Sequence, residues 1–320
     1  MNKDFIQYLR CPTCHKEISF SDNFFVCSNN HQFQIVSGIP QLLPQNPNSD
    51  FESTSNLYGK LWKETKSMPI SWHIHEMQKV LPQNIAQGKL GLEIGCGSGF
   101  DSVFIAQENP SLQLCSIDIS EGVFVAQKNL ERKGLKNLNL VRASATSLPF
   151  QDATFDFCYS FGVLHHLREP YDGFKEVIRV LKPGAPFYLY LYEDHHDDPL
   201  KFYPLKFIKT LRKLTSKLSP THLKIVATCL SPFVVVSFSW PSKILGQFKK
   251  TEHIAKKIPF NFGKGLFSVT GDLYDRFGAP YEHRFNQTQL KDWYKKQACE
   301  KYLFTKLQKS SGLVTMGFKS

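Results

Sequence analysis

An apolar leader is missing from the start of the chain. Met1-Asn2-Lys3-Asp4-Phe5 carries charge where a signal peptide would begin its hydrophobic run, so a cytoplasmic location is expected. A disulfide framework is missing too. Of the eight cysteines, three lie within the first 27 residues, and Cys96, Cys115, Cys158, Cys229 and Cys299 are scattered, a pattern that suits reduced thiols. A clean membrane span is also absent. The longest uncharged run of the second half, 225–242, holds Pro232, Pro241 and several Ser and Thr, and reads as a poor span. Charge is not scarce enough, nor apolar content low enough, for a disordered chain: 42% of residues are hydrophobic and 21% charged, which permits a large core.

Acidic side chains are nearly missing from 201–264, where Glu252 stands alone against thirteen basic residues. The overall charge of +11 therefore comes from the second half, since residues 1–200 hold 17 basic and 22 acidic residues. A basic segment points to an anionic partner, either a membrane surface or RNA, and its plain alternative is a solvated charged face. Lys206, Lys209, Arg212, Lys213 and Lys217 recur at helical spacing with Leu205, Ile208, Leu211 and Leu214 between them. Such faces suit an interfacial lid, a contact with anionic lipid that would make the protein peripheral at a membrane, or RNA phosphates.

What is present at the N-terminus is a chelating pattern. Cys11-Pro-Thr-Cys14 is followed, after twelve intervening residues, by Cys27 and then His31. Two short turns, each bringing a pair of donors together, complete a tetrahedral set of three thiolates and one imidazole, which suits structural zinc with no position left for water. His15 is a second candidate for the fourth ligand, but it adjoins Cys14 and cannot close a turn with Cys27. Pro44 to Asp50 reads as a linker, and Phe51 to about Leu81, with Tyr58, Trp62, Trp72 and His75, as helix stopped by Pro82.

From Lys89 onward, strand and helix patterns alternate. Leu90–Ile94, Leu112–Ile117, Leu138–Val141, Phe155–Ser160 and Phe187–Tyr192 read as strands, and helices are expected between them. Ser120 is placed to cap the helix that runs to Lys133, and Lys182-Pro183-Gly184 to stop the one from Glu169. This is an α/β sheet of parallel βαβ units. The glycine-rich turn Gly95-Cys96-Gly97-Ser98-Gly99 follows the first strand, and Asp118 ends the second. Glycine lets a ligand approach the backbone, the next helix offers free N–H groups, and a carboxylate at that place can hold a ribose diol. The spacing is not the G-x-G-x-x-G of a pyrophosphate cradle, which argues against NAD.

Leu92-Glu-Ile-Gly-Cys-Gly-Ser-Gly99, Ser116-Ile-Asp118-Ile-Ser120, Ser147-Leu-Pro-Phe150 with Phe155-Asp156, Gly162-Val-Leu-His-His166 and Val180-Leu-Lys-Pro-Gly184 stand in one order over about 85–195. Together they resemble the motifs of class I S-adenosylmethionine-dependent methyltransferases of the type 11 kind. The resemblance implies a Rossmann-like seven-stranded sheet with helices on both faces. It also implies that Glu93, Gly95, Cys96, Gly97 and Gly99 line the methionine and ribose side, that Asp118 holds the ribose and that Ile119 packs on adenine. Ser144 stands where the family usually has Asp, beside Ala145 with its backbone N–H, and Ser160 and Phe161 would face the sulfonium. His31 to Leu43, ending in Gly38-Ile-Pro-Gln-Leu-Leu43, resembles the zinc ribbons fused to or partnered with methyltransferases, most of all the N-terminal finger of bacterial 23S rRNA guanine methyltransferases.

The implied organisation is a zinc ribbon over 1–45, a linker with helices over 46–84, a cofactor-binding core over 85–193, a basic helical cap insertion over 194–285, and the core's last helix and strand hairpin over 286–320. Asp194-His-His-Asp-Asp198 reads as a solvated turn rather than a metal site. Because a sulfonium is already activated, placement supplies much of the rate and a base is needed only for an acceptor that must lose a proton. His165 and His166, and the cluster Tyr281 and His283, are the candidates; the alternatives are that the histidines cap a strand and that Tyr281 packs under the last helix. The expected activity is methyl transfer from S-adenosylmethionine to O, N or C of a small or lipid-like acceptor. Methylation of an rRNA guanine, and a catalytically silent cofactor-binding partner subunit, are the alternatives.

Overall fold

The computed structural model describes residues 3–21, 23–45, 49–65, 74, 89–255, 258, 269–299, 301–306 and 312–320. The chain divides into two compact units, the first made of Met1–Tyr192, Tyr281–Lys306 and Gly312–Ser320, the second of Glu193–Pro280.

The first unit begins with four short strands, β1 (Ile18–Ser21), β2 (Phe24–Cys27), β3 (Gln32–Val36) and β4 (Ile39–Leu42), followed by helix α1 (Ser49–Glu64). The expected helix to Leu81 ends at Glu64; of the remainder Ile74 is described, and Trp72 and His75 lie outside the described residues. Strand and helix then alternate as β5 (Leu90–Ile94), α2 (Phe100–Glu108), β6 (Gln113–Asp118), α3 (Gly122–Arg132), β7 (Leu138–Ala143), β8 (Phe157–Phe161), α4 (Pro170–Val180) and β9 (Pro186–Tyr192). These strands are buried almost residue by residue, as a parallel sheet covered on both faces requires. Pro170 opens α4, and the extended Leu181 before Lys182-Pro183 ends it. Helix α3 starts at Gly122 rather than directly after Ser120: the Ser120 hydroxyl gives its proton to Asp118 and accepts from the Gly122 amide at 3.1 Å.

With β10 over Tyr302–Lys306 and β11 over Gly312–Phe318, the seven strands of the core run β7-β6-β5-β8-β9-β11-β10. The first five are parallel; β11 runs antiparallel between β9 and β10. The N-terminal strands do not stand apart from this sheet. β4 pairs parallel with β7, Gln41 opposite Arg142 and Leu42 opposite Ala143, so one sheet runs through eleven strands.

The second unit is helical. It holds α5 (Pro199–Thr215), α6 (Pro220–Val234), α7 (Trp240–Leu245), the short α8 (Glu252–Ala255) and α9 (Val269–Gly278). The first unit resumes with α10 (Gln287–Lys296), opened by a reciprocal capping box between Asn286 and Gln289 with both bonds at 3.0 Å. Pro232 and Pro241 do not break the run in which they lie. A π turn, Val235–Ser239, joins α6 to α7 and makes Pro220–Leu245 one helix of 26 residues. The wider turn closes between the Trp240 amide and the Val235 carbonyl just before Pro241, the residue that has no amide to donate. By length and composition alone this helix is long and apolar enough to cross a membrane, although the sequence reads as a poor span. The expected solvated turn at 194–198 is half solvated. His196 is exposed between Asp194 and Asp197, whereas His195, at φ 53, turns inward and sets Nδ1 3.4 Å from Glu193.

Candidate functional site

The turn after β5 is built around its lack of side chains. Gly95 has φ 87, and a Cβ there would stand 2.0 Å from a methyl of Val163. Its amide and that of Cys96 donate to the Ile117 carbonyl at 2.8 and 2.9 Å, holding the turn against the end of β6. The Gly97 amide donates to Asp118 Oδ2 at 2.8 Å, while Oδ1 accepts from the Ser120 amide and hydroxyl at 2.8 and 2.7 Å. A carboxylate has about four acceptor positions, so one is left for a ligand unless the Ser120 hydroxyl turns away. Burial pushes the Asp118 carboxyl above its ordinary value, and these bonds together with Arg142 pull against that rise.

Above the turn lies a cleft of roughly 640 Å³ including its mouth. Its floor is Ile94, Gly95, Ile117, Asp118 and Ile119; Ala143 and Ala145 line one end, and Phe161, Gly162, Val163, His166 and Leu167 the other. Its roof was not legible in the sequence. Thr54, Tyr58 and Trp62 of α1, four residues apart and so on one helix face, border the cleft, and the Trp62 indole fills the place where a Cβ on Gly97 would lie. The spacing of the three was the available signal.

Arg142 fixes this roof. Its guanidinium donates to the Ile119 carbonyl at 3.0 Å, to Ser55 Oγ of α1 at 3.1 Å and to Gln41 Oε1 of β4 at 3.3 Å. Ser55 in turn donates to the Ile119 carbonyl at 3.1 Å, and Lys63 pairs with Glu121. One side chain thus joins β4, the roof helix and the turn beside Asp118.

Of the residues the motifs point to, Gly95, Asp118, Ile119, Ala145 and Phe161 line the cleft. Glu93, Cys96, Gly97, Gly99, Ser144 and Ser160 do not. Glu93 points into the core, where Ser102 and Ser116 donate to its carboxylate and burial pushes its pKa up to about 7. Cys96 is buried, and a Cβ on Gly99 would meet Ala126 at 2.6 Å, so both serve packing. Ser144 bonds Thr146 Oγ1 at 2.9 Å, and Ser160 donates to the Ile94 carbonyl at 3.0 Å.

The two histidines have different surroundings. His166 borders the cleft, its ring 5.6 Å from that of Tyr58, and its Nδ1 lies 2.9 Å from the Tyr281 carbonyl. A carbonyl only accepts, so Nδ1 carries a proton and donates it to this bond. His165 is fully buried behind it, stacked 3.8 Å from the Tyr192 ring. The His283 amide donates to the His165 carbonyl at 2.8 Å, and the Tyr281 and His283 rings stack 6.3 Å apart. The structure therefore brings all four candidates together but sets one, His166, at the cleft.

At the far side of β4, the donor atoms of Cys11, Cys14, Cys27 and His31 all lie within 4.8 Å of one another. Cys14 and Cys27 sulfurs are 3.7 Å apart, and His31 Nδ1 is 3.4 Å from the sulfurs of Cys11 and Cys27. Zn–S bonds of about 2.3 Å at tetrahedral angles put two sulfurs roughly 3.8 Å apart, so the donor set fits zinc. His15 is exposed at φ 55, where it closes the first turn onto the Cys11 carbonyl at 2.8 Å, and it is not among the converging donors.

The strand order, the glycine turn and the carboxylate at the end of β6 give the core the fold of class I S-adenosylmethionine-dependent methyltransferases. Residues 92–189 match the family described as "Methyltransferase domain". A demethylmenaquinone methyltransferase of Geobacillus sp. is 29% identical over 119 residues, 36% of this chain and 49% of that protein. Cycloartenol-C-24-methyltransferase of Arabidopsis thaliana is 32% identical over 135 residues, 42% of this chain and 40% of that one. The chain thus spans about half the length of these curated relatives or less. A putative O-methyltransferase structure from Nostoc punctiforme superposes with a TM-score of 0.50 at 11% identity, covering 82% of this chain and 60% of that one, which shows a shared fold.

Proposed function

We propose that the protein transfers a methyl group from S-adenosylmethionine to a small or lipophilic organic acceptor. The observation that carries this is one cleft bordered at once by the Gly95 turn, by Asp118 with an acceptor position left, and by His166, whose ring is held through Nδ1 by the Tyr281 carbonyl. Bound S-adenosylmethionine would supply a methyl group already activated by the sulfonium. Asp118 would hold a ribose hydroxyl, and Ile119 and Ala145 would give adenine apolar sides. Tyr58 and Trp62 exclude water from above, and His166 Nε2 accepts a proton from an acceptor that must lose one. The acceptor end, lined by Phe161, Val163 and Leu167, is apolar, and the two relatives described are named for demethylmenaquinone and cycloartenol. Cys11, Cys14, Cys27 and His31 would hold a structural zinc ion, which has no open position for substrate. The chain would work in the cytoplasm.

Calorimetry with S-adenosylmethionine tests the first half. One site per chain, weakened at least about tenfold in Asp118→Ala, is expected, because a buried hydrogen bond to a charged group contributes about 1.5–3 kcal/mol. No binding by either protein overturns it. Label from methyl-tritiated S-adenosylmethionine should enter a lipid or metabolite extract; label entering 23S rRNA instead would establish the rRNA alternative.

A further inference from the structure

The second unit has a feature its charge does not announce: its longest helix carries an apolar face on the outside. Along Pro220–Leu245 the buried positions are Leu223, Ala227, Val234, Ser239 and Ser242, with Ser231 bonded to Thr270 of α9 at 2.7 Å. On other faces Ile225, Phe233, Val236, Trp240 and Ile244 are all more than half exposed. They follow one another at intervals of three, four or eight, so they form a stripe about 28 Å long at 1.5 Å per residue. Helix α5 repeats the arrangement. Arg212 and Thr215 bond the Arg276 and Phe277 carbonyls at the end of α9, at 2.6 and 2.7 Å. Tyr203, Phe207 and Leu214 are 65–70% exposed. Beside that row, also exposed and at the same helical period, run Lys206, Lys209, Lys213 and Lys217.

A monomeric soluble surface does not ordinarily keep two such rows in water. We propose that the second unit docks on an anionic lipid surface, with the stripes of Pro220–Leu245 and α5 seated among the acyl chains and the lysine row at the headgroups. The observations favour lipid over RNA. Half of the two rows, Ile225, Val236, Ile244 and Leu214, has no flat face on which a base could stack and no group to bond a phosphate, whereas aliphatic and aromatic side chains alike gain about 25 cal/mol per Å² on leaving water. Charge complements the apolar rows: each lysine near an anionic surface adds roughly 1 kcal/mol, and its long stem lets the ammonium stay at the headgroups. The surface is inferred without reference to methyl transfer.

The test is sedimentation of the full-length protein with vesicles of phosphatidylcholine alone or with 30% phosphatidylserine. Binding to the mixed vesicles at least about tenfold tighter than to the neutral ones is expected, with a blue shift in emission that Trp240→Phe removes. Phe233→Ser/Trp240→Ser and Lys206→Glu/Lys213→Glu should each weaken binding at least about tenfold while leaving calorimetric S-adenosylmethionine binding unchanged, which shows that the variants fold. The proposal is overturned by no binding to either vesicle. It is overturned equally by binding that both double variants retain, by vesicle binding that rRNA fragments out-compete, or by a dimer in solution that Phe233→Ser/Trp240→Ser dissociates. Loss of cofactor binding with vesicle binding intact would sink the methyltransferase reading and leave this one standing.

Discussion

His166 Nδ1 stands 2.9 Å from the carbonyl oxygen of Tyr281, a residue 115 positions further along the chain. The bond fixes the tautomer of a ring at the edge of the cleft. It also ties the segment that re-enters the first unit after the helical unit to the edge of the cleft.

Replacing His166 with Asn should therefore remove a base without removing the cofactor site. Transfer of label to a phenolic or quinol acceptor is expected to fall by about 10²–10⁴, the usual contribution of general base catalysis, with the S-adenosylmethionine dissociation constant changed less than about threefold. His283→Asn, whose side chain lies behind the cleft, should cost far less. Equal losses in the two variants would place the proton acceptor elsewhere.

Glu93 predicts a dependence of stability on pH. Burial lifts its pKa from the ordinary 4.5 to about 7 in the folded protein. Between those values the folded chain binds more protons than the unfolded one, so this group's contribution is complete below about 4.5 and is lost as pH rises through about 7. Glu93→Gln keeps the shape and an acceptor for Ser102 and Ser116 but cannot ionise. The difference in thermal midpoint, variant minus wild type, should grow between pH 5 and pH 8; a difference that is flat across that range rules the account out.

Gly97 and Trp62 should be coupled. A Cβ on Gly97 would reach 2.4 Å from the indole. Gly97→Ala is expected to destabilise by about 2–4 kcal/mol, part from overpacking and part from the left-handed backbone at φ 52. In a Trp62→Ala background the steric part disappears and the backbone part stays, so denaturant unfolding should give a coupling of at least about 1 kcal/mol. Strict additivity would mean that the indole moves aside without cost.

Metal removal should reach the cleft. One zinc per chain is expected by atomic emission, and chelation or Cys27→Ser should lower the thermal midpoint, since an ion held by the folded donor set and not by the unfolded chain adds its binding free energy to folding. Because β4 pairs with β7 and Gln41 bonds Arg142, which holds Ser55 and the Ile119 carbonyl, the same treatment should weaken S-adenosylmethionine several-fold. A fully preserved affinity after complete zinc loss would show that the N-terminal strands only decorate the sheet edge.

The sequence by itself determined what depends on local pattern. Continuous apolar runs between helical periods specify five parallel strands, a glycine turn after the first and an acid after the second meet at one cleft, and two knuckles sixteen residues apart specify four converging donors. It also placed the charge, though not the apolar rows beside it, because exposure depends on which helix face another element covers. Only the tertiary structure decided that Glu93 lies under the sheet and not in the cleft, that Thr54, Tyr58 and Trp62 roof it, and that His166 rather than His165 meets it. Each of these rests on contacts between residues far apart in sequence, such as Arg142 with Gln41 and Ser55, or His166 with Tyr281, and side-chain periodicity carries no record of which distant partner a face will find.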